Sequence, residues 1–266
     1  MHSKKVNHLG KELHYWVAGE GNPIILIHGF AENGLVWKHQ MDFLSKQNKV
    51  IAPDIFGSGQ SAALEGVNIK IVDYAKGIKK IIEAEKIEKA LMIGHSMGGY
   101  IALAYYDIFP KDISGLGLLH STAFADDATK IESRNKAISF LKIHEAESFL
   151  KVTIPDLFYD KEKNQSIIEQ LHLNSKEIKS STLIQYYEAI KNRPDASNII
   201  KKCSIPVLFI AGLHDKTVPV SKSLEQSYIA SETHFYILNH SAHMGLLEEP
   251  DSVNKILSLF SDYVSA

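Results

Sequence analysis

Residues Pro23-Ile24-Ile25-Leu26-Ile27 form an uninterrupted apolar run rich in β-branched side chains, and similar runs recur at 50–52, 90–93, 113–119, 206–211 and 235–238. A strand wetted on one face alternates apolar and polar residues. A strand without that alternation is buried on both faces, which in practice means the interior of a parallel sheet. Stretches with helical spacing lie between or after several of the runs, at 72–84, 100–109, 221–229 and 253–263. Strand–helix alternation of this kind specifies an α/β protein with a mostly parallel central sheet flanked by helices. Ahead of it, 5–9 and 12–17 read as a β-hairpin turning at Gly10-Lys11. At 266 residues, such a chain buries about 73% of its unfolded surface. A core of that size needs neither disulfide nor metal.

From 122 to 203 the alternation stops. That stretch carries helix-like pieces at 131–144, 146–151, 165–175 and 180–190, and no strand that would be buried. Ligands bind open α/β sheets at the carboxyl ends of the strands, so an all-helical excursion there reads as an inserted lid. The expected organisation is a core made of 1–121 and 204–266, with a helical cap of 122–203.

Charge and cysteine content exclude several functions. Lys plus Arg number 29 against 31 Asp plus Glu, a net of −2, so the basic footprint of a nucleic-acid binder is missing. The single Cys203 can form neither an intrachain disulfide nor a four-cysteine zinc site, which fits a reducing, cytoplasmic setting. The stretch 6–13 alternates with polar residues and offers no signal-peptide core. No apolar run approaches the roughly 20 residues that span a bilayer. The expectation is a protein with no membrane, nucleic-acid, cofactor or metal partner, acting on a small molecule; oligomeric state is not legible.

The chemistry is concentrated in Gly94-His95-Ser96-Met97-Gly98-Gly99, between the apolar run ending at Ile93 and the helix from Tyr100. This is G-x-S-x-G in the strand–turn–helix context that the motif requires. Glycines two positions either side of the serine let strand and helix approach closely. The helix N-terminus, with the Met97 amide, then faces the place where an oxyanion would form. A serine hydroxyl needs a base. His243, in a loop just after the run 235–238, is the best of 13 histidines, with His240 as its neighbour and competitor. The base needs a carboxylate to fix its tautomer. Asp215 follows the run 206–211; its alternative role is to cap a helix starting near Pro219, and Asp126 and Asp127 are the other candidate acids. The order Ser96, Asp215, His243 is that of the α/β hydrolases.

On these motifs the chain resembles the α/β-hydrolase fold family over nearly its whole length, in particular the small serine esterases, lactonases and haloperoxidases with a helical cap. His28-Gly29-Phe30 is similar to the family's oxyanion loop, and Asp54-Ile55-Phe56-Gly57-Ser58-Gly59-Gln60-Ser61 to its D-x-x-G-x-G-x-S turn, a structural segment. The resemblance implies an oxyanion hole made by the backbone N–H of Phe30 and Met97. Serine at 96 separates the chain from the dehalogenases and epoxide hydrolases, which use a carboxylate nucleophile; the short His-Gly-Phe segment separates it from hormone-sensitive-lipase-like enzymes. The implied function is hydrolysis of a small carboxylic ester through an acyl-enzyme. The alternatives are a carbon–carbon bond or lactone hydrolase with the same triad, or a slow-turnover small-molecule receptor.

The only arginines are Arg134 and Arg193. Either can clamp a substrate carboxylate or serve an internal salt bridge, for example Arg193 with Asp195. Phe30, Trp37, Met97, Phe124, Phe140, Phe149, Phe158 and Tyr186 are candidates for an apolar pocket or for lid packing, and His120 for a place near the site or in the interior.

Overall fold

The computed structural model describes residues 1–66 and 68–266. Its strands are β1 (His2–His8), β2 (Lys11–Ala18), β3 (Asn22–Ile27), β4 (Asn48–Pro53), β5 (Ala90–His95), β6 (Ile113–Leu119), β7 (Val207–Gly212) and β8 (Thr233–Leu238). They form one eight-stranded sheet in the order β1-β2-β4-β3-β5-β6-β7-β8. β2 runs antiparallel to both its neighbours, and every pairing from β4 to β8 is parallel. This is the α/β-hydrolase fold expected from the sequence.

The helices are α1 (Lys38–Leu44), α2 (Ile71–Ala84), α3 (Met97–Ile108), α4 (Ala128–Leu141), α5 (Ala146–Thr153), α6 (Gln165–Ser175), α7 (Ser180–Lys191), α8 (Ser197–Lys201), α9 (Val220–Ser227), α10 (Gly245–Glu248) and α11 (Pro250–Ser265). They cover both faces of the sheet. On β6, Gly115 faces Phe260 and Val264 of α11, while Leu118 reaches Gly99 of α3. Odd and even positions of a strand point to opposite faces, so α11 and α3 sandwich the sheet. Between them Ile24, Ile25, Leu26 and Ile27 of β3 are completely buried.

The structure corrects several local expectations. The hairpin turns at Leu9 and Gly10, both at positive φ, rather than at Gly10-Lys11, because His8 pairs with Lys11 and leaves a two-residue loop. The run 235–238 belongs to the edge strand β8, where Ile237 is 43% exposed; an apolar run alone does not reveal which strand lacks an outer neighbour. α1 and α8, of seven and five residues, are too short to display a helical period in the sequence. α4 begins ahead of residue 131 because the Asp127 side chain accepts the Lys130 N–H at 2.8 Å and caps it.

Between β6 and β7 stand α4 to α8 and no strand. These helices are tied to the rest of the chain by polar contacts. The Tyr186 hydroxyl donates to the Phe56 carbonyl at 2.8 Å, and the Leu157 carbonyl accepts the His243 N–H at 2.9 Å. Among the described residues no helix is long and apolar enough to cross a membrane.

Candidate active site

Ser96 sits between β5 and α3 at φ 49° and ψ −116°, a backbone conformation that side chains other than glycine rarely adopt. Its neighbours enforce it. A Cβ on Gly94 would lie 2.2 Å from the Gly98 carbonyl oxygen, and one on Gly98 would lie 2.2 Å from the Ile27 carbonyl oxygen, so strand and helix touch backbone to backbone. The Ser96 N–H donates to Leu119 at 3.0 Å, and its carbonyl accepts the Ser121 hydroxyl at 2.7 Å. Strain held by that many ties leaves the hydroxyl aimed away from the sheet.

That hydroxyl lies 2.8 Å from His243 Nε2. His243 Nδ1 lies 2.8 Å from Asp215 Oδ2. The three residues come from the ends of β5, β7 and β8, brought together by parallel strand order and not by proximity in sequence. Asp215 also anchors its own turn, its Oδ1 accepting the Thr217 and Val218 N–H groups at 2.8 and 2.9 Å. Burial works against ionising this carboxyl, but the His243 and His120 rings beside it outweigh burial and hold it well below the usual carboxylate range. His240 is exposed, and its backbone N–H goes to Glu249 at 2.9 Å. His120 is buried behind Asp215, with Nδ1 3.3 Å from Oδ2; burial pushes its pKa down to about 4, so the ring is neutral. Of the other acids, Asp127 caps α4 and Asp126 pairs with arginines.

Phe30 follows β3 and Met97 opens α3. Among the described residues, neither backbone N–H is taken up by another backbone carbonyl. For Met97 this follows from position, since the first amides of a helix have no acceptor within it.

Two supporting residues were not singled out from sequence. Glu32 is buried beneath the loop that carries Phe30, and its carboxylate accepts the Gly29 N–H at 2.7 Å and contacts His95 Nδ1 at 3.1 Å. The other ring nitrogen, His95 Nε2, donates to the His243 carbonyl at 2.9 Å. Acceptors facing both nitrogens favour the protonated ring. Burial opposes that charge, and the Glu32 carboxylate overrides it, raising the His95 pKa; burial likewise opposes Glu32, and His95 lowers it. This ion pair clamps the loop before the site to the loop bearing His243. Nothing in the sequence pairs residues 32 and 95, although His95 is the variable position inside the serine motif.

His120, Asp215 and His243 also form the one cluster of potential metal ligands found among the described residues. Their spacing suits hydrogen bonds better. Ligand atoms around tetrahedral zinc stand roughly 3.3 Å apart given metal–ligand bonds near 2.0–2.1 Å, whereas His243 Nδ1 and Asp215 Oδ2 are 2.8 Å apart.

Above Ser96 and His243 lies a cavity of about 190 Å³, walled by Phe30, Leu150, Ile154, Leu157 and Tyr187 among others. Of the expected apolar candidates, only Phe30 lines it. Tyr186 is fully buried against the Phe56 turn, and its neighbour Tyr187, rotated about 100° round α7, faces the cavity instead. Phe140 and Phe149 line an adjoining depression, and Trp37, Met97 and Phe158 are buried. Arg134 lines the cavity too, while it and Arg193 both bind Asp126; Asp195, the expected partner of Arg193, instead accepts from Ser197.

The family model described as "alpha/beta hydrolase fold" matches residues 22–145. A 2-hydroxy-6-oxo-6-(2'-aminophenyl)hexa-2,4-dienoic acid hydrolase of Metapseudomonas resinovorans is 26% identical over 96% of this chain and 90% of its own. An uncharacterised Mycobacterium tuberculosis protein is 32% identical over 42% of this chain, which spans about a third (32%) of that relative's length. Among solved structures, a thermophilic esterase from Thermogutta terrifontis (malate bound) superposes with a TM-score of 0.90 at 22% identity, covering 100% of both chains. The enol-lactonase of Burkholderia xenovorans LB400 gives 0.89 at 21% identity over 97% of this chain and 99% of its own.

Proposed function

We propose that this chain, which has the α/β-hydrolase fold, is a serine hydrolase that cleaves a small carboxylic ester through an acyl-enzyme. The observation that carries the reading is the unbroken relay Ser96 Oγ, His243 Nε2, His243 Nδ1, Asp215 Oδ2, with 2.8 Å at each hydrogen bond. In the proposed reaction His243 removes the Ser96 hydroxyl proton as Oγ bonds to the ester carbonyl carbon. The carbonyl electron pair moves to oxygen, where the Phe30 and Met97 amides stabilise the charge. When the pair returns, the alkoxide leaves and takes the proton from His243. Water, deprotonated by the same ring, then attacks the acyl carbon; Oγ leaves, recovers the proton, and the carboxylic acid departs. Asp215 stays ionised throughout, fixing the ring tautomer and balancing the imidazolium.

The proposal extends to the organisation and setting of the chain. Residues 1–121 and 204–266 act as the catalytic core and 122–203 as a lid over it, the substrate is a small molecule in the cytoplasm, and no cofactor is called on. The cavity of about 190 Å³ is smaller than the roughly 300–1,000 Å³ of drug-sized ligand sites, so short acyl groups are expected. A p-nitrophenyl ester series from acetyl to dodecanoyl tests both points. Turnover should be greatest at the short end, and Ser96→Ala should reduce kcat by roughly 10⁴-fold or more while leaving the circular dichroism spectrum unchanged. Undiminished turnover in that variant would overturn the proposal. The lactone or carbon–carbon reading keeps the same relay; what favours it is Arg134 in the cavity wall, together with the acid substrate in the name of the Metapseudomonas relative.

A further inference from the structure

Both arginines of the chain converge on one carboxylate, but they use their donors differently. Arg193 is buried; its Nη1 donates to Asp126 at 2.9 Å and to the Ile190 carbonyl at 2.8 Å, and its Nη2 donates to the Phe124 carbonyl at 2.8 Å. The guanidinium lies 3.9 Å from the Tyr100 ring centroid. Protein acceptors thus take three of its five N–H groups, and Arg193 does not line the cavity that holds Ser96 and His243. Arg134, on α4, gives Asp126 its Nε–H and, at 3.3 Å, one Nη2–H. A guanidinium has five N–H groups. Both Nη1–H groups and the second Nη2–H of Arg134 meet no protein acceptor among the described residues.

The side chain that carries these unspent donors is only 19% exposed and lines the same cavity as Ser96 and His243. Asp126 is the carboxylate that both guanidinium groups bond, with the Asp195 charge beside Arg193. Glu32 is paired with His95, Asp215 with His243, and Asp127 with the N-terminus of α4. Lys130 adds a further cation, its Nζ 3.4 Å from the carbonyl of Thr217, another residue of the cavity wall. Burial lowers its pKa, with Asp126 opposing and the Arg134 and Arg193 charges adding to the lowering. The same cavity wall includes the apolar side chains of Leu150, Ile154 and Leu157.

We infer that Arg134 reads a carboxylate on the substrate, so that the ester cleaved at Ser96 is a small one carrying a free carboxylate a few bonds from the scissile carbonyl. This names the substrate class of the proposed serine hydrolase and rests on that reading. A carboxylate entering the cavity takes two of the three unspent Arg134 donors, one on Nη1 and one on Nη2, in the bidentate geometry that arginine favours. The small cavity selects short dicarboxylate half-esters, or short ω-acyloxy acids if the charge is on the alcohol side.

The test compares matched esters. Monomethyl glutarate is set against methyl hexanoate for a carboxylate on the acyl side, and 4-acetoxybutanoate against pentyl acetate for one on the alcohol side. The expected result is that one anionic ester exceeds its neutral counterpart in kcat/KM by at least about tenfold, the worth of one charge-assisted hydrogen bond. Arg134→Gln should collapse that ratio toward unity and Arg134→Lys should restore part of it. Equal or neutral-favouring ratios for both pairs in the wild type overturn the inference, as does a ratio that Arg134→Gln leaves intact. Should the Gln variant fail to fold, the wild-type ratios still decide. If no ester is turned over, the hydrolase reading fails separately, and calorimetric binding of glutarate to Ser96→Ala decides the anion site: saturable binding, weakened by Arg134→Lys, supports it, and no binding refutes it.

Discussion

The buried Glu32–His95 pair behaves as a clamp whose charge can be titrated from either side. Glu32 has a pKa held below its ordinary value, so its contribution to stability is complete above about pH 4.5 and is lost as the pH falls through the lowered value. His95 has a raised pKa, so its contribution is complete below about pH 6.5 and is lost as the pH rises through the raised value. Glu32→Gln should remove both dependences and cost about 3 kcal/mol or more near neutrality, the penalty for leaving a buried partner unpaired. Urea unfolding of wild type and variant between pH 4 and 9 checks this; parallel curves would show that the pair carries no charge. The serine motif points to Ser96 without help from the structure, because G-x-S-x-G needs only local backbone geometry. Glu32 was invisible because its partner lies 63 residues away, and no local pattern encodes that contact.

At the level of elements, the apolar run of β3 announces its own burial, whereas the docking of α7 depends on helix phase. Tyr186, fully buried, hydrogen-bonds the Phe56 carbonyl in the turn after β4 and packs edge-on against Tyr74 of α2 at 5.6 Å. Tyr186→Phe removes the hydrogen bond and keeps the packing. The expected loss is about 1 kcal/mol, or roughly 2–4 °C in Tm for a chain of this size class. Differential scanning calorimetry measures it, and an unchanged Tm would mean that the hydroxyl is not what seats the helix. The sequence does place a helix at 180–190. It does not tell which of Tyr186 and Tyr187 turns inward, since both are amphipathic and adjacent; the cavity went to Tyr187.

Taken as a whole, the molecule concentrates carboxylates whose ionised form folding favours. Glu85 joins β1, β2 and β4 to the end of α2 through Lys4 at 2.9 Å, Lys49 at 2.7 Å and Tyr15 at 2.8 Å; burial pushes its pKa up, and these partners bring it down to about 2. Asp215 and Glu32 are shifted the same way. Each folded value lies below the unfolded one, so stability should be fully present above about pH 4.5 and fall as the pH drops toward 2, with Glu85 alone worth about 1 kcal/mol after screening at its exposed lysines. Unfolding free energies at pH 7, 4 and 3 test the slope, and Glu85→Gln should make it shallower. A flat profile would contradict the assignment. By itself the sequence determined the strands of the sheet, most of the longer helices, the strained serine turn, and Asp215 and His243 as its partners, because each is written in local periodicity or in motif spacing. The tertiary structure decided which strand became an edge, which tyrosine lines the cavity, that Glu32 and His95 lock two loops together, and that Arg134 lines the cavity with Ser96 while Arg193 does not. Those outcomes depend on contacts between residues far apart in the chain, and only the closed fold sets those distances.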